Sequence, residues 1–566
     1  MIFFSLIALI SASALHSIKS KISPVIFGRI TSISLIYSAL LTLNTFYIQS
    51  IGSGLGIYSG LFFINNITQN IEIFIYLLAS FILVAIYSPN YNLELNTLKI
   101  SNIKSNLKIN HDWKSEYPLI ILFSILGASC LISSSDLISM YLSIELQSFS
   151  VYILSTLNRG SITSTSAGLK YFLLGGLSSC IILLGVGFIY MSFGLTQFEG
   201  IFTLLSTANV NINNYNLVDT LISSSLLNNL SSDLLFNNSI QGFTLGLILI
   251  IIGLLFKISA APFYNWAPDV YDGVPTTVTT WLTIMPKISL IIFLLELFLN
   301  QSLFIFNMNS NFADFFNGDI SRDLNLDIFK NLLLLSSLLS LIIGSVLGLV
   351  QTRIKRLFAY STIGHVGFLL LALSINSAQS VESFIFYLIQ YSLTNLNLFL
   401  IILAFGYYFF YNSKVKVNKN TNQDIELLSD LKEQLSLNPI LSLSLAICLF
   451  SMAGIPPLVG FFGKYLVLYS AIENGYFFMS FIGIIVSVIS AYYYLKLINI
   501  VHFSVPVVTN SKSNEVNKIK IINHNFLNNS HSFLIAILTL FVFLFWINPL
   551  WLSNSIRIIV LTLFFI

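Results

Sequence analysis

Charge is what this 566-residue chain has least of: only 9% of its residues are Asp, Glu, Lys or Arg, against about 25% in soluble globular proteins. A soluble enzyme is excluded by that alone. Cysteine is scarcer still. Cys130, Cys180 and Cys448 fall singly inside apolar segments and cannot supply the four-ligand spacing of an iron–sulfur cluster or a tetrahedral zinc site, so redox chemistry within the chain is not expected. The 26 basic and 23 acidic residues nearly cancel, leaving a net charge of +3. With no basic tail or RNA-type motif, nucleic acid is set aside as a partner. No polar stretch is long enough for a second folded domain. What is abundant is apolar surface, 56% hydrophobic residues at a mean hydropathy of +0.85. One all-α polytopic membrane domain is expected over 1–566.

Runs of about twenty apolar residues, each enough for one crossing, give about fourteen spans. They lie near 1–17, 30–50, 70–88, 117–135, 136–158, 166–193, 241–264, 276–300, 328–351, 358–376, 381–412, 439–470, 476–505 and 529–548. The opening run has no basic leader before it and is followed at once by further spans, so it is expected to be a retained first helix. Threading the chain through these spans places Lys19 to Arg29, Lys99 to Lys114, Arg159, Arg353 to Arg356, Lys414 to Lys432 and Lys512 to Lys520 on one side. The other side receives little beyond Arg322, Lys330 and Arg557. The basic side should face the negative compartment, so both termini are expected on the opposite, positive side. Polar loops at 197–240 and 301–327, rich in Asn, Ser and Asp, fall there too and carry no chemical motif.

Five ionisable groups remain near mid-span: Glu145, Lys257, Lys287, His365 and Lys464. A charged side chain at a helix centre costs roughly 2.5–3.5 kcal/mol unless it faces a partner or water. Helical spacing supports inward-facing polar stripes. Tyr141, Glu145, Ser148 and Tyr152 line one face, as do Thr276, Thr280, Thr283 and Lys287, and Tyr387, Gln390, Thr394 and Asn397. Such stripes can hold waters for a proton, or glue helices together by hydrogen bonds. Two spans are interrupted by proline beside their lysine, Lys257 before Pro262 and Lys464 after Pro457. Loose backbone groups of this kind are tolerated at membrane depth only where protein or water meets them. The breaks fall in the seventh and twelfth spans, each the fourth of a five-span block, 4–8 and 9–13. A tandem repeat of an odd number of spans is necessarily inserted with opposite topology, so two inverted five-helix repeats are expected, over 117–300 and 328–505, between an N-terminal three-helix segment (1–116) and a C-terminal helix segment (506–566).

Of the five, His365 admits two readings, and ionisable groups outside the five are weaker candidates. His365 follows Ser361 by four residues on one face, and packing and proton relay both remain open for it. Haem ligation needs paired, facing histidines, whereas His16, His111, His502, His524 and His531 lie near span ends or in loops. Lys170 and Lys496 are close enough to the basic face to snorkel, and Glu296 is ambiguous. Asp269 and Asp272 read as loop residues that set a turn, with proton entry at Asp269 a lesser reading.

YLSIELQSFSVYIL around Glu145, GLKYFLLGGLSS from Gly168, FKISAAPFYNWAPDVYDGVPT around Lys257 and MAGIPPLVGFFGKYLVL around Lys464 resemble signatures of the antiporter-like membrane subunits of respiratory complex I, over about 117–500. The Glu-Leu-Gln sequence that begins at Glu145 is similar to the chain 2 family rather than chains 4 and 5, and the extra lateral helix of chain 5 is not expected. The resemblance implies fourteen helices in a membrane arm, with Glu145 paired to Lys257, Lys287 and His365 along a central axis and Lys464 ending the relay. It implies proton translocation coupled to NADH oxidation and ubiquinone reduction elsewhere in the complex. NADH, FMN, iron–sulfur clusters and ubiquinone would be held by other subunits, with no cofactor or metal on this chain, and its partners would be neighbouring antiporter-like subunits, lipids and protons. The polar loops depart from the family pattern. The Asn-, Ile- and Phe-rich composition resembles an organelle-encoded protein of the mitochondrial inner membrane. A cation/proton antiporter, or a structural subunit that only relays electrostatic change, remains open as an alternative.

Overall fold

In lipid every backbone N–H and C=O must be satisfied internally, and a helix does this within its own segment. The computed structural model describes residues 1–16, 24–48, 54–86, 116–204, 226–306, 324–415, 424–432, 434–503 and 529–564. Within them the helices longer than two turns are α1 (Ile2–His16), α2 (Pro24–Thr45), α3 (Asn66–Ile86), α4 (Glu116–Ile132), α5 (Leu137–Thr156) and α6 (Ile162–Phe193). There follow α7 (Leu226–Ile258), α8 (Trp266–Gly273), α9 (Thr276–Phe306), α10 (Leu324–Val350), α11 (Ile354–Ile375) and α12 (Ala378–Val415). The chain closes with α13 (Pro439–Ala453), α14 (Val459–Glu473), α15 (Phe477–His502), α16 (Asn529–Leu544) and α17 (Leu550–Phe564). Each expected span overlaps one helix, except that the twelfth covers the broken pair α13/α14; the seventh overlaps α7 and ends in the break before α8. Eleven of the described helices are long and apolar enough to cross a membrane, and the chain is a multi-pass membrane protein.

The differences from expectation lie at segment ends. α7 begins inside the stretch expected as polar loop and runs for 33 residues, about 50 Å at 1.5 Å per residue. That exceeds a hydrocarbon layer of about 30 Å, so its polar first turns need no apolar sequence. The loop interiors at 205–225 and 307–323, and the basic runs at 17–23, 87–115, 416–423 and 504–528, lie outside the described residues. The last expected span is followed by a further helix, α17, whose Ser553, Asn554, Ser555 and Arg557 depress its hydropathy. The C-terminal segment is therefore two helices, not one. A short hairpin, β1 (Leu55–Ile57) against β2 (Phe62–Ile64), latches onto the start of α5. Phe63 N–H donates to the Ser133 carbonyl at 2.7 Å, and the Ser139 hydroxyl to the Leu61 carbonyl at 3.0 Å.

Burial sorts the helices into a centre and a shell. The membrane-crossing windows of α9, α11 and α12 are 94%, 89% and 89% buried, against 39% for α6 and 33% for α15. Leu169, Phe172, Leu173 and Leu177 of α6 are exposed, as a lipid-contacting face requires. The polar stripes from Thr276 on α9 and from Tyr387 on α12 ride on wrapped helices, where protein rather than lipid surrounds them, while the Glu145 stripe rides on α5, whose crossing window is 61% buried.

Both breaks begin with a left-handed residue, Ser259 (φ 65°) after α7 and Gly454 (φ 86°) after α13. Gly454 caps α13 by donating its N–H to the Phe450 and Ser451 carbonyls at 3.1 and 3.0 Å, a conformation that glycine adopts without a Cβ penalty. The prolines that follow have no N–H with which to resume a helix at once.

Candidate functional site

The first break places Lys257 in the last turn of α7, against Glu145 of α5. Lys257 Nζ lies 3.1 Å from Glu145 Oε1, with the two side chains 7% and 14% exposed. Ser148, one turn along α5, donates to Glu145 Oε2 at 3.4 Å. Beside the pair is a cavity of about 20 Å³, lined among others by Ser148, Tyr152, Lys257, Trp266 and Pro286. A volume of that size holds about one water. Trp266, at the start of α8, donates its indole N–H across the break to the Phe256 carbonyl at 2.9 Å. That bond returns a partner to a carbonyl near the end of α7.

Pro286 carries the cavity wall to the turn of α9 that bears Lys287. This lysine is 2% exposed. It donates to Thr362 Oγ1 of α11 at 3.1 Å and lies 5.7 Å from the centre of the Tyr271 ring, a cation–π distance. Among the described residues no carboxylate lies within ion-pair range of it. Three residues beyond Thr362, His365 Nδ1 lies 2.6 Å from Tyr387 Oη and its Nε2 lies 3.3 Å from Tyr494 Oη. The His365 and Tyr391 ring centres are 5.5 Å apart, and the Tyr391 hydroxyl donates to the Thr283 carbonyl at 3.2 Å. Sequence reading found His365 and the Tyr387 stripe. Tyr494, in a run of three tyrosines on a span with no charge near its middle, gave no signal.

Lys464 of α14 occupies the second break in a different way. Its Nζ donates to the Ala453 carbonyl at 3.0 Å and lies 5.8 Å from the Phe368 ring centre. A carbonyl at a half-helix C-terminus is a partial negative charge, so the broken helix itself supplies what Glu145 supplies to Lys257. No pattern of side chains could have announced a backbone partner.

Some expected hydroxyls do not face the axis for hydrogen bonding. Thr280 and Thr283 donate to carbonyls of their own helix at 2.7 and 2.9 Å, as interior threonines commonly do. Several buried atoms near these stripes, Gln390 Oε1, Asn395 Oδ1, Asn397 Oδ1, Tyr271 Oη and Ser259 Oγ, have no hydrogen-bond partner among the described residues. Glu296 is half-buried on α9 and makes no ion pair among the described residues, and Lys496 is exposed on α15. His531 is buried and bonds the Leu400 carbonyl at 3.1 Å, while His502 bonds the Ser442 carbonyl at 3.2 Å. Among the described residues no group of three or more His, Cys, Asp or Glu is placed to hold a metal ion.

Asp269 and Asp272 are not loop residues setting a turn. They sit on α8 and bind basic residues of other helices. Arg353 bonds Asp272 at 2.6 Å, Arg356 bonds Asp272 and Asp269 at 3.0 and 3.2 Å, and Lys170 bonds Asp269 at 3.0 Å instead of merely snorkelling. The hydrogen bond that Arg353 donates to Asp272, together with the carboxylate's charge, raises the already high pKa of the Arg353 guanidinium. Beside them Lys355 bonds Asp424 at 2.6 Å and the Val274 carbonyl at 2.7 Å, and Asp424 accepts from the N–H and hydroxyl of Thr276 at 3.1 and 2.9 Å. Arg353, Lys355 and Arg356 counted in the sequence only toward orientation. Asp424 gave no signal, lying in a polar stretch outside every span.

The family model described as NADH:quinone oxidoreductase/Mrp antiporter, TM, matches residues 134–316 and 319–490. NADH-ubiquinone oxidoreductase chain 2 of Rhizopus oryzae is 50% identical, over 100% of both chains. A chain of respiratory complex I from Thermus thermophilus superimposes with a TM-score of 0.65 at 21% identity, covering 98% of this chain and 99% of that one. A chain of the Mrp complex from Dietzia sp. does so with a TM-score of 0.67 at 15% identity, covering 100% and 97%. At those identities the two structures speak for a shared fold, while the family match and the fungal relative speak for descent. This chain belongs to the NADH:quinone oxidoreductase/Mrp antiporter family of transmembrane subunits.

Proposed function

We propose that this chain is a core membrane-arm subunit of respiratory complex I that takes part in proton translocation, the energy coming from NADH oxidation and ubiquinone reduction on other subunits. The observation that carries the reading is the Glu145–Lys257 ion pair at 3.1 Å, set at a helix break inside the membrane domain. A carboxylate at that distance holds the ammonium charged. Withdrawing it leaves a charge in a low-dielectric site, at a cost of about 3–5 kcal/mol. Moving one charge against 100 mV costs about 2.3 kcal/mol, so a switch built on this pair is energetically sufficient. Protons pass from Lys257 to Lys287, then by Thr362, His365 and its tyrosines to Lys464. Buried oxygens without a partner among the described residues, such as Gln390 Oε1 and Tyr271 Oη, support this reading, since water bound to them would complete the route.

The five-helix blocks 117–300 and 328–505 form two inverted repeats in this reading, supported by the matching place of the two breaks. NADH, FMN, iron–sulfur clusters and ubiquinone belong to other subunits, and the flanking partners are further antiporter-like chains. The membrane is the mitochondrial inner membrane, with both termini on the intermembrane-space side, in keeping with the basic residues gathered at the opposite end. Replacing Lys257 by methionine in the assembled complex tests the reading: NADH-driven proton pumping falls, and undiminished pumping and turnover would remove this lysine from the mechanism. Cation/proton exchange by the chain itself is a second reading, favoured by the whole-chain likeness to the Mrp complex. Sodium-dependent exchange that persists without NADH would select it.

A further inference from the structure

α9 and α11 meet at two heights. Midway, Lys287 of α9 donates to Thr362 of α11 at 3.1 Å. At their N-terminal ends Lys355 of α11 bonds Asp424 at 2.6 Å, and the same carboxylate accepts both the N–H and the hydroxyl of Thr276, the first residue of α9. Thr276 precedes Lys287 by eleven residues, three turns, and Lys355 precedes Thr362 by seven, two turns, so each pair shares a face of its helix. Asp424 thus sits at the end of the seam that Lys287 and Thr362 close in the middle. Its own segment is fixed independently, because Ile354 N–H donates to the Glu426 carbonyl at 3.0 Å and Leu428 N–H to the Thr352 carbonyl at 3.1 Å.

We infer that the Asp424–Lys355 pair is a positioning clamp for Lys287, fixing the rotation and height of α9 against α11 so that the ammonium meets Thr362. One carboxylate engages the end of α9 by two hydrogen bonds and α11 by a charge, and Lys355 also ties the α8–α9 junction through the Val274 carbonyl at 2.7 Å. A slip of one residue along α9 would turn Lys287 by about 100° and shift it by about 1.5 Å, enough to break the bond to Thr362. Lys355 is buried to 5% exposure and Asp424 to 24%. The Arg353, Arg356 and Lys170 pairs next to them are more open and secure α8 rather than α9. The sequence gap between Asp424 and both helices explains why no motif betrays the clamp.

This inference rests on the relay reading above, and the experiment separates the two. In complex reconstituted into liposomes, protons pumped per NADH oxidised are measured for Lys287→Met, Asp424→Asn, Thr362→Val and the Asp424→Asn/Thr362→Val double variant, each normalised to assembled complex. Asp424→Asn keeps an oxygen for Thr276 but loses the charge toward Lys355. It is expected to lower pumping by about fivefold to tenfold, and the double variant to lose no more than the worse single, since both act on one junction. Asp424→Glu restores most of the pumping, which a loss of general stability would not predict. Losses that multiply in the double variant, or wild-type pumping by assembled Asp424→Asn, overturn the clamp while leaving the relay. Wild-type pumping by Lys287→Met overturns the relay itself.

Discussion

Glu145→Gln isolates the pair on which the proposed mechanism turns. The substitution keeps size and one acceptor oxygen but removes the negative charge 3.1 Å from Lys257 Nζ. Removing one partner of a buried ion pair costs about 3–5 kcal/mol, and the amide oxygen recovers about 1.5–3 kcal/mol as a hydrogen bond to a charged group. Taking like ends of the two ranges, the balance of about 1.5–2 kcal/mol amounts to roughly tenfold to thirtyfold in the protonation equilibrium of Lys257, at 1.36 kcal/mol per decade. Assembled complex in proteoliposomes, followed by NADH absorbance and a pH-sensitive dye, should show coupled pumping reduced by at least a factor in that range. Glu145→Asp, shorter by about one carbon–carbon bond of 1.5 Å, should be intermediate, because the adjoining cavity of about 20 Å³ admits one bridging water. Wild-type rates and wild-type protons per NADH in Glu145→Gln would refute the reasoning, since a pair that can lose its charge without consequence is not a switch.

Other perturbations follow from the same geometry. Lys464→Met leaves the Ala453 carbonyl without its donor, at about 1–3 kcal/mol; pumping should fall while the complex still assembles on a native gel. His365→Phe removes the partner of Tyr387 and Tyr494 together, and should lower both pumping and melting temperature, whereas Tyr494→Phe alone, losing the longer contact, should cost less in each. A Cβ at Gly460 would run into the Ser451 carbonyl, so Gly460→Ala should destabilise by about 1–3 kcal/mol, read as reduced assembly on the same gel. Lys170→Ala removes an ion pair whose partners are 56% and 41% exposed, worth about 0–1 kcal/mol; unchanged assembly and pumping are expected, and a marked loss in either would contradict the assignment of that pair to the surface.

Much of the fold was legible because hydropathy and helical period report the same thing in a membrane: which segments can close their own hydrogen bonds. The breaks were legible because proline cannot hide a missing donor, and Glu145, Lys257 and Lys464 because a charge within an apolar run is conspicuous. What escaped the sequence shares one cause, contacts between distant segments. Asp269 and Asp272 resembled turn formers until α11 brought Arg353 and Arg356 to them. Asp424 resembled any polar loop residue until α9 needed an acceptor at its first turn. The Ala453 carbonyl and the hydroxyls of Tyr494 and Thr362 are ordinary groups made special only by what packs opposite. α17 was missed because Ser553, Asn554, Ser555 and Arg557 interrupt an otherwise apolar segment.

The concentric arrangement of helices has a bearing on how the membrane itself can influence this protein. The outer faces of α6 and α15 are open to the surroundings while α9, α11 and α12 are wrapped in protein, so bilayer thickness and lipid species should act on Lys287 and His365 second-hand, by pressing on the outer ring. Detergent extraction should correspondingly loosen the periphery first and spare the interior hydrogen bonds, leaving a preparation whose inner geometry outlasts its native surroundings.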